Sequence, residues 1–110
     1  MIDDTLTKIE SRIHAADSVS DDRKRELLQL VATLKTEVAE LSKTHTERAE
    51  SIAGFAQVST HEATRESQDP QLLGLSIQGL RSSVAGFEES HPKLVRIVNA
   101  ISNTLSNLGI

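Results

Sequence analysis

The chain has 110 residues, with 12 Lys and Arg against 16 Asp and Glu, a formal net charge of −4, and no Cys, Trp or Tyr. The missing cysteines exclude structural disulfides, Cys-liganded zinc, iron–sulfur clusters and thiol catalysis, and they suit a reducing compartment. Leu, Ile, Val and Phe supply 30 of the 110 residues, above the floor of roughly 20% below which disorder is expected, and the length suits one domain spanning 1–110.

Four helical segments are expected and no strand, because no window of five or more residues alternates convincingly. The first covers 2–17. Its apolar residues Ile2, Leu6, Ile9 and Ile13 are spaced as in a coiled-coil seam, and Asp3 and Asp4 suit the positive end of the helix dipole. Asp17-Ser18-Val19-Ser20 breaks it. The second is a long helix over 20–66, with Ser20 as N-cap and Asp21 and Asp22 in its first turn. Leu27, Val31, Leu34, Val38 and Leu41 repeat the seam spacing, His45 and Arg48 continue it, and Ile52 and Phe55 make it apolar again. Such a helix would be about 68 Å long, with a kink near Gly54 where Gly, Ser and Thr lower helix propensity.

Asp69-Pro70 restarts the chain as cap and first helical position of a third helix, 70–90. It carries Leu73, Ile77, Leu80, Val84 and Phe87 on one stripe, with Leu72 and Leu75 beside it. Ser90-His91-Pro92 repeats the device for a fourth helix, 92–108. There Leu94, Ile97, Val98, Ile101, Leu105 and Leu108 form a dense apolar face ahead of Gly109, a glycine of C′ type. Residues 1–66 hold 9 basic and 13 acidic side chains and residues 67–110 hold 3 of each, so the whole net charge lies on the first two helices.

Catalytic and metal chemistry find little support. A ferritin-like di-iron bundle needs two Glu-x-x-His motifs. One such spacing exists, Glu88 to His91, and Pro92 follows it at once. A metal site would need three of His14, His45, His61, His91 and nearby carboxylates to converge. Otherwise His14 pairs with Glu10, His45 sits on the seam, His61 is a surface residue and His91 caps a helix. No Ser lies in a Gly-x-Ser-x-Gly turn and no phosphate-binding Gly loop is present. Gly74, Gly79 and Gly86 are expected to allow close helix approach. Asp21, Asp22 and Glu26 neutralise Arg23-Lys24-Arg25, and two Phe make no stacking platform, which argues against nucleic acid. The acidic start Met-Ile-Asp-Asp has no signal-peptide character. The apolar runs fall far short of the ~20 residues of a transmembrane helix. A cytoplasmic, non-enzymatic protein without cofactor or membrane insertion is the expectation.

The C-terminal phrases Gly86-Phe87-Glu88-Glu89-Ser90-His91-Pro92 and Thr104-Leu105-Ser106-Asn107-Leu108-Gly109-Ile110 resemble a family of small bacterial proteins known only as a domain of unknown function. The Asp-Asp-Arg-x-x-x-Leu-Leu-x-Leu opening at Asp21 is similar too. The resemblance implies no activity or catalytic residue. It does point to Phe87, Ser90, His91 and Pro92 as the joint of a helical hairpin, with Phe87 packed under the corner.

The fold expected is all-α: a short helix, a long helix and a C-terminal helical hairpin in a coiled-coil-like bundle. Stripes on helices of such unequal length cannot all be buried in one compact chain, so self-association through Leu27, Val31, Leu34, Val38, Leu41, Leu73, Ile77, Leu80 and Val84 is expected. The function that follows is a non-catalytic structural or interaction protein forming a homodimer or larger oligomer. The alternative is an adaptor that binds a helical segment of another protein; a metal-handling bundle is a third.

Overall fold

Side-chain caps set the starts of two helices, at Ser20 and Asp69. A computed structural model describes residues 2–108, so Gly109 and the C-terminal Ile110 lie outside the described residues. It contains α1 (Ile2–Ala15), α2 (Asp21–Ser42), α3 (Thr46–Thr64), α4 (Pro70–Ser83) and α5 (Pro92–Leu108). The Ser20 hydroxyl accepts from the Arg23 N–H at 3.3 Å. Asp69 Oδ1 accepts from the N–H groups of Gln71 and Leu72 at 3.0 and 3.2 Å, with Pro70 opening α4. The all-α bundle and the start and end of α5 agree with the periodicity; α1 ends two residues earlier than expected.

The long helix over 20–66 is not continuous, and the break falls at residues 43–45 instead of near Gly54. Lys43-Thr44-His45-Thr46 carries side chains that compete with helical bonding. The Thr44 hydroxyl donates to Leu41 O at 3.4 Å and lies 2.8 Å from His45 Nδ1, while the Thr46 hydroxyl donates to Ser42 O at 3.0 Å. His45 takes φ −136°, outside the helical region. Gly54 stays inside α3, where the apolar face built by Ala49, Ile52, Ala53, Ala56 and Ala63 is buried and outweighs the local propensity.

The break lets the chain fold back, and α3 becomes the central helix, packed on α1, α2, α4 and α5. The molecule is 37 Å along its longest axis with a radius of gyration of 12.9 Å, against about 13 Å for a compact chain of this length. A ~68 Å rod is thereby replaced by a bundle that supplies its own partners. The stripes of all five helices meet in one core, with Leu6, Ile9, Ile13, Leu27, Leu34, Leu41, Ile52, Leu80, Leu94, Ile101 and Leu105 fully buried.

Polar ties cross the bundle as well. Arg12 Nε donates to the Thr64 hydroxyl at 2.9 Å, which itself donates to Thr60 O at 2.7 Å. The Thr104 hydroxyl donates to Glu26 Oε1 at 2.9 Å, joining α5 to α2. Among the described residues, Ser59 Oγ and Ser102 Oγ are buried without a hydrogen-bond partner. A desolvated hydroxyl without a partner costs stability, so Ser102→Ala should stabilise the fold by about 1 kcal/mol. A thermal melt should show a rise of roughly 4–8 °C; a lower midpoint would mean the hydroxyl is bonded in solution.

Candidate functional site

The nine seam residues expected between copies all lie inside the single chain. Leu27, Leu34, Val38, Leu41 and Leu80 are at most 1% exposed, and Val31, Leu73, Ile77 and Val84 at most 5%. They pack on each other across α2, α4 and their neighbours. None is available to a partner in this fold, which corrects the expectation that so many stripes must be shared between chains. The turn at residues 43–45 brings the partners of these stripes into the same chain.

The joint residues do come together, in an arrangement that differs from simple capping. The chain leaves α4 at Ser83, earlier than the residue 90 expected, because Gly86 takes φ +95°, a value that favours glycine. Its N–H donates to both carboxylate oxygens of Glu88, at 3.0 and 3.1 Å. Gly86 therefore shapes the turn and does not serve helix approach, and a Cβ at Gly74 would meet nothing within 4 Å. The Ser90 hydroxyl and His91 Nδ1, one or the other of which is the expected cap of α5, pair with each other at 3.0 Å. The His91 carbonyl accepts from the Val95 N–H at 3.2 Å, and Pro92 opens the helix.

Phe87 is buried under this corner as expected, and its neighbours include His45 from the break at 43–45 and Arg48 from the start of α3. His45 and His91 each set an edge against the Phe87 ring at 5.4 Å, with the two imidazoles 6.3 Å apart. The Arg48 guanidinium lies 4.6 Å from the ring centroid. Its Nη2 donates to the carbonyls of Ser83 and Ala85 at 3.2 and 2.8 Å. Arg48 thus closes the carbonyl end of α4 from α3, a role that the sequence spacing does not suggest. The other histidines stand apart. The His14 carbonyl accepts from Lys24 Nζ, and Glu10 pairs with Lys35 at 3.6 Å, so the expected Glu10–His14 pair is replaced. His61 faces solvent beside Glu62. Among the described residues, no three His, Asp or Glu side chains gather as metal ligands.

The exposed apolar surface is elsewhere, on α3 and α4. Phe55, Val58, Leu72 and Leu75 are 41, 49, 44 and 57% exposed. Helical spacing puts Phe55 and Val58 one turn apart on α3, and Leu72, Leu75 and Gly79 along one flank of α4. The two helices pack together as an antiparallel pair joined by a short connection. Gly79 locks their register: a Cβ there would meet the Phe55 ring, Cδ1 at 2.6 Å. The ring therefore lies across α4 over the bare backbone. In an antiparallel pair this register sets Val58 near the level of Leu75, and helical spacing then puts the four side chains on one side of the pair.

That face is almost without charge. On the positions that line it, 51, 55, 58 and 62 of α3 and 72, 75 and 79 of α4, Glu62 alone is ionisable. Its carboxylate is largely buried and pairs with Arg65 at 2.9 Å. On the opposite flank of α4, a groove of about 500 Å³ against α5 is lined by Leu73, Ile77, Gln78 and Arg81 among others. Its apolar floor, Leu73 and Ile77, is only 5 and 4% exposed, and Arg81 is bonded to Asn103 at 2.7 Å. It offers a partner little apolar surface. No described helix is long and apolar enough to cross a membrane.

The apolar face went unread in the sequence, although a signal existed. Leu72, Leu73 and Leu75 within four residues make the apolar arc of α4 too wide for one buried side, and the run Ser51-Ile52-Ala53-Gly54-Phe55-Ala56-Gln57-Val58 carries no charge on any face. The chain belongs to the family described as Domain of unknown function (DUF4404), whose model matches residues 27–110. No curated protein and no solved structure matches it. The matched span includes the whole of α3, α4 and α5, and hence both the Phe87 joint and the apolar face.

Proposed function

We propose that this member of the family is a non-catalytic interaction protein, and that it works by contact through the α3–α4 face. The observation that supports this reading is the clustering of Phe55, Val58, Leu72 and Leu75 on one uncharged surface. Isolated exposed apolar residues need no explanation, but a contiguous patch bordered by polar residues costs solubility unless something covers it. The protein acts in a reducing, cytoplasmic setting, without cofactor or metal, and its acidic balance disfavours nucleic acid. The adaptor alternative, a helical segment of another protein laid beside α5, has less behind it because the α4–α5 groove has a nearly closed floor.

The test is a photo-reactive amino acid placed at Leu75 and, separately, at Arg25, an exposed residue of α2, in cells making the full chain. Adducts are identified by mass spectrometry. Position 75 should give one discrete adduct that disappears when Val58→Glu is added, and position 25 none. Equal adducts from both positions, or none from 75, would overturn the reading.

A further inference from the structure

Resting on that reading, we infer that the occupant of the α3–α4 face is the same face of a second copy of this chain. Charge is the first argument. Each copy carries −4, so two copies repel wherever acidic surface meets acidic surface, and residues 1–66 hold the excess. The α3–α4 face is where two copies can meet without opposing like charges, since its one carboxylate is already paired to Arg65. A charged partner, or an anionic lipid surface, would require ionic groups that the face does not present.

Shape is the second argument. A two-fold interface must be self-complementary, residue i meeting j while j meets i. Within one chain the Phe55–Gly79 contact sets Val58 near the level of Leu75, so the α3 side and the α4 side each offer apolar side chains at matching positions along the pair. Turning one copy over a two-fold axis along the α3–α4 seam sets Val58 of each copy on Leu75 of the other. The four side chains expose on the order of 300 Å² of apolar surface per copy. With the bordering Ser51 and Gln71 this approaches the low end of specific interfaces, roughly 600 Å² per partner. The dimer is therefore reversible and concentration-dependent.

The full chain is measured by light scattering after size exclusion over a wide range of loading concentration, with refractive-index detection because the chain lacks Trp and Tyr. The mass should climb from 12.0 kDa towards twice that value. Leu75→Glu and Val58→Lys should each stay monomeric at every concentration with an unchanged far-UV spectrum. Their equimolar mixture should regain dimer mass, because the Lys of one copy then meets the Glu of the other; recovery in the mixture also shows that both variants fold. A wild-type mass fixed at the monomer value would overturn the inference, as would a dimer indifferent to both substitutions. A monomeric wild type whose Leu75 adduct contains a different protein defeats the second copy and leaves the contact-surface reading standing. No adduct at all defeats both.

Discussion

Val38→Asp should unfold the chain, and its helical far-UV signal should collapse at room temperature. Val38 is fully buried, one turn from Leu34 and Leu41, in the core that α2 shares with its neighbours. A carboxylate there would have no cationic partner and no water. It would either carry the desolvation cost of a buried charge or bind a proton to avoid it, and both routes lose the packing of the valine. The expected loss is above ~4 kcal/mol, in the range that only a few mechanisms reach, and it takes most of the stability of a domain at the low end of the usual 5–15 kcal/mol, where so small a core belongs. If the variant instead kept its helicity and ran at half the native mass, the α2 stripe would be a contact between chains and the single-chain core would be wrong. The two outcomes share no observable, so circular dichroism and light scattering on one sample decide between them.

This prediction turns on the point where sequence and structure part. The spacing of Leu27, Val31, Leu34, Val38 and Leu41 identifies the buried side of α2, and each of these residues is buried. Periodicity says that a face is covered; it does not say by what. The partner depends on whether the chain turns back after Ser42, and the turn is made by Thr44 and Thr46 through hydroxyl bonds to nearby carbonyls and by His45 paired with the Thr44 hydroxyl, with no Gly or Pro to mark it. Gly54, the residue that does stand out, is carried inside α3 because an Ala-rich face packs against four other helices. Ser20 and Asp69-Pro70 were legible because their chemistry is local. The Arg48 contact with Ser83 and Ala85 joins residues 35 and 37 positions apart, and the apolar face joins α3 to α4 through Gly79. The first leaves no mark in any single window of sequence, and the second shows only as two separate apolar runs, 51–58 and 72–75, whose meeting no single window records.

The joint at Phe87 shows how a local motif and a distant contact combine, and Phe87→Ala should lower the stability by about 3–5 kcal/mol. Phe87 is 5% exposed, so truncation removes a buried ring and leaves a cavity beneath the corner between α4 and α5. His45 and His91 lose the ring between them, and Arg48 loses the aromatic face under its guanidinium. Edge-to-face pairs are worth about 0.5–1.5 kcal/mol beyond burial, and an exposed cation–π contact about 0.5–1 kcal/mol. These terms overlap with the truncation cost and are not added to it. Arg48 keeps its bonds to Ser83 and Ala85, so α4 retains its closed end and the fold should persist at low temperature. The midpoint should drop by roughly 15–30 °C for a chain of this size. Phe87→Leu separates the causes, since leucine fills most of the volume without offering a ring. A small drop for Leu beside a large one for Ala would assign the effect to burial. Equal drops would assign it to the ring contacts with His45, His91 and Arg48. A drop of only a few degrees for Phe87→Ala would show that the corner is held by Gly86, Glu88 and Pro92 alone, and that the aromatic group at the break between α2 and α3 has no structural role.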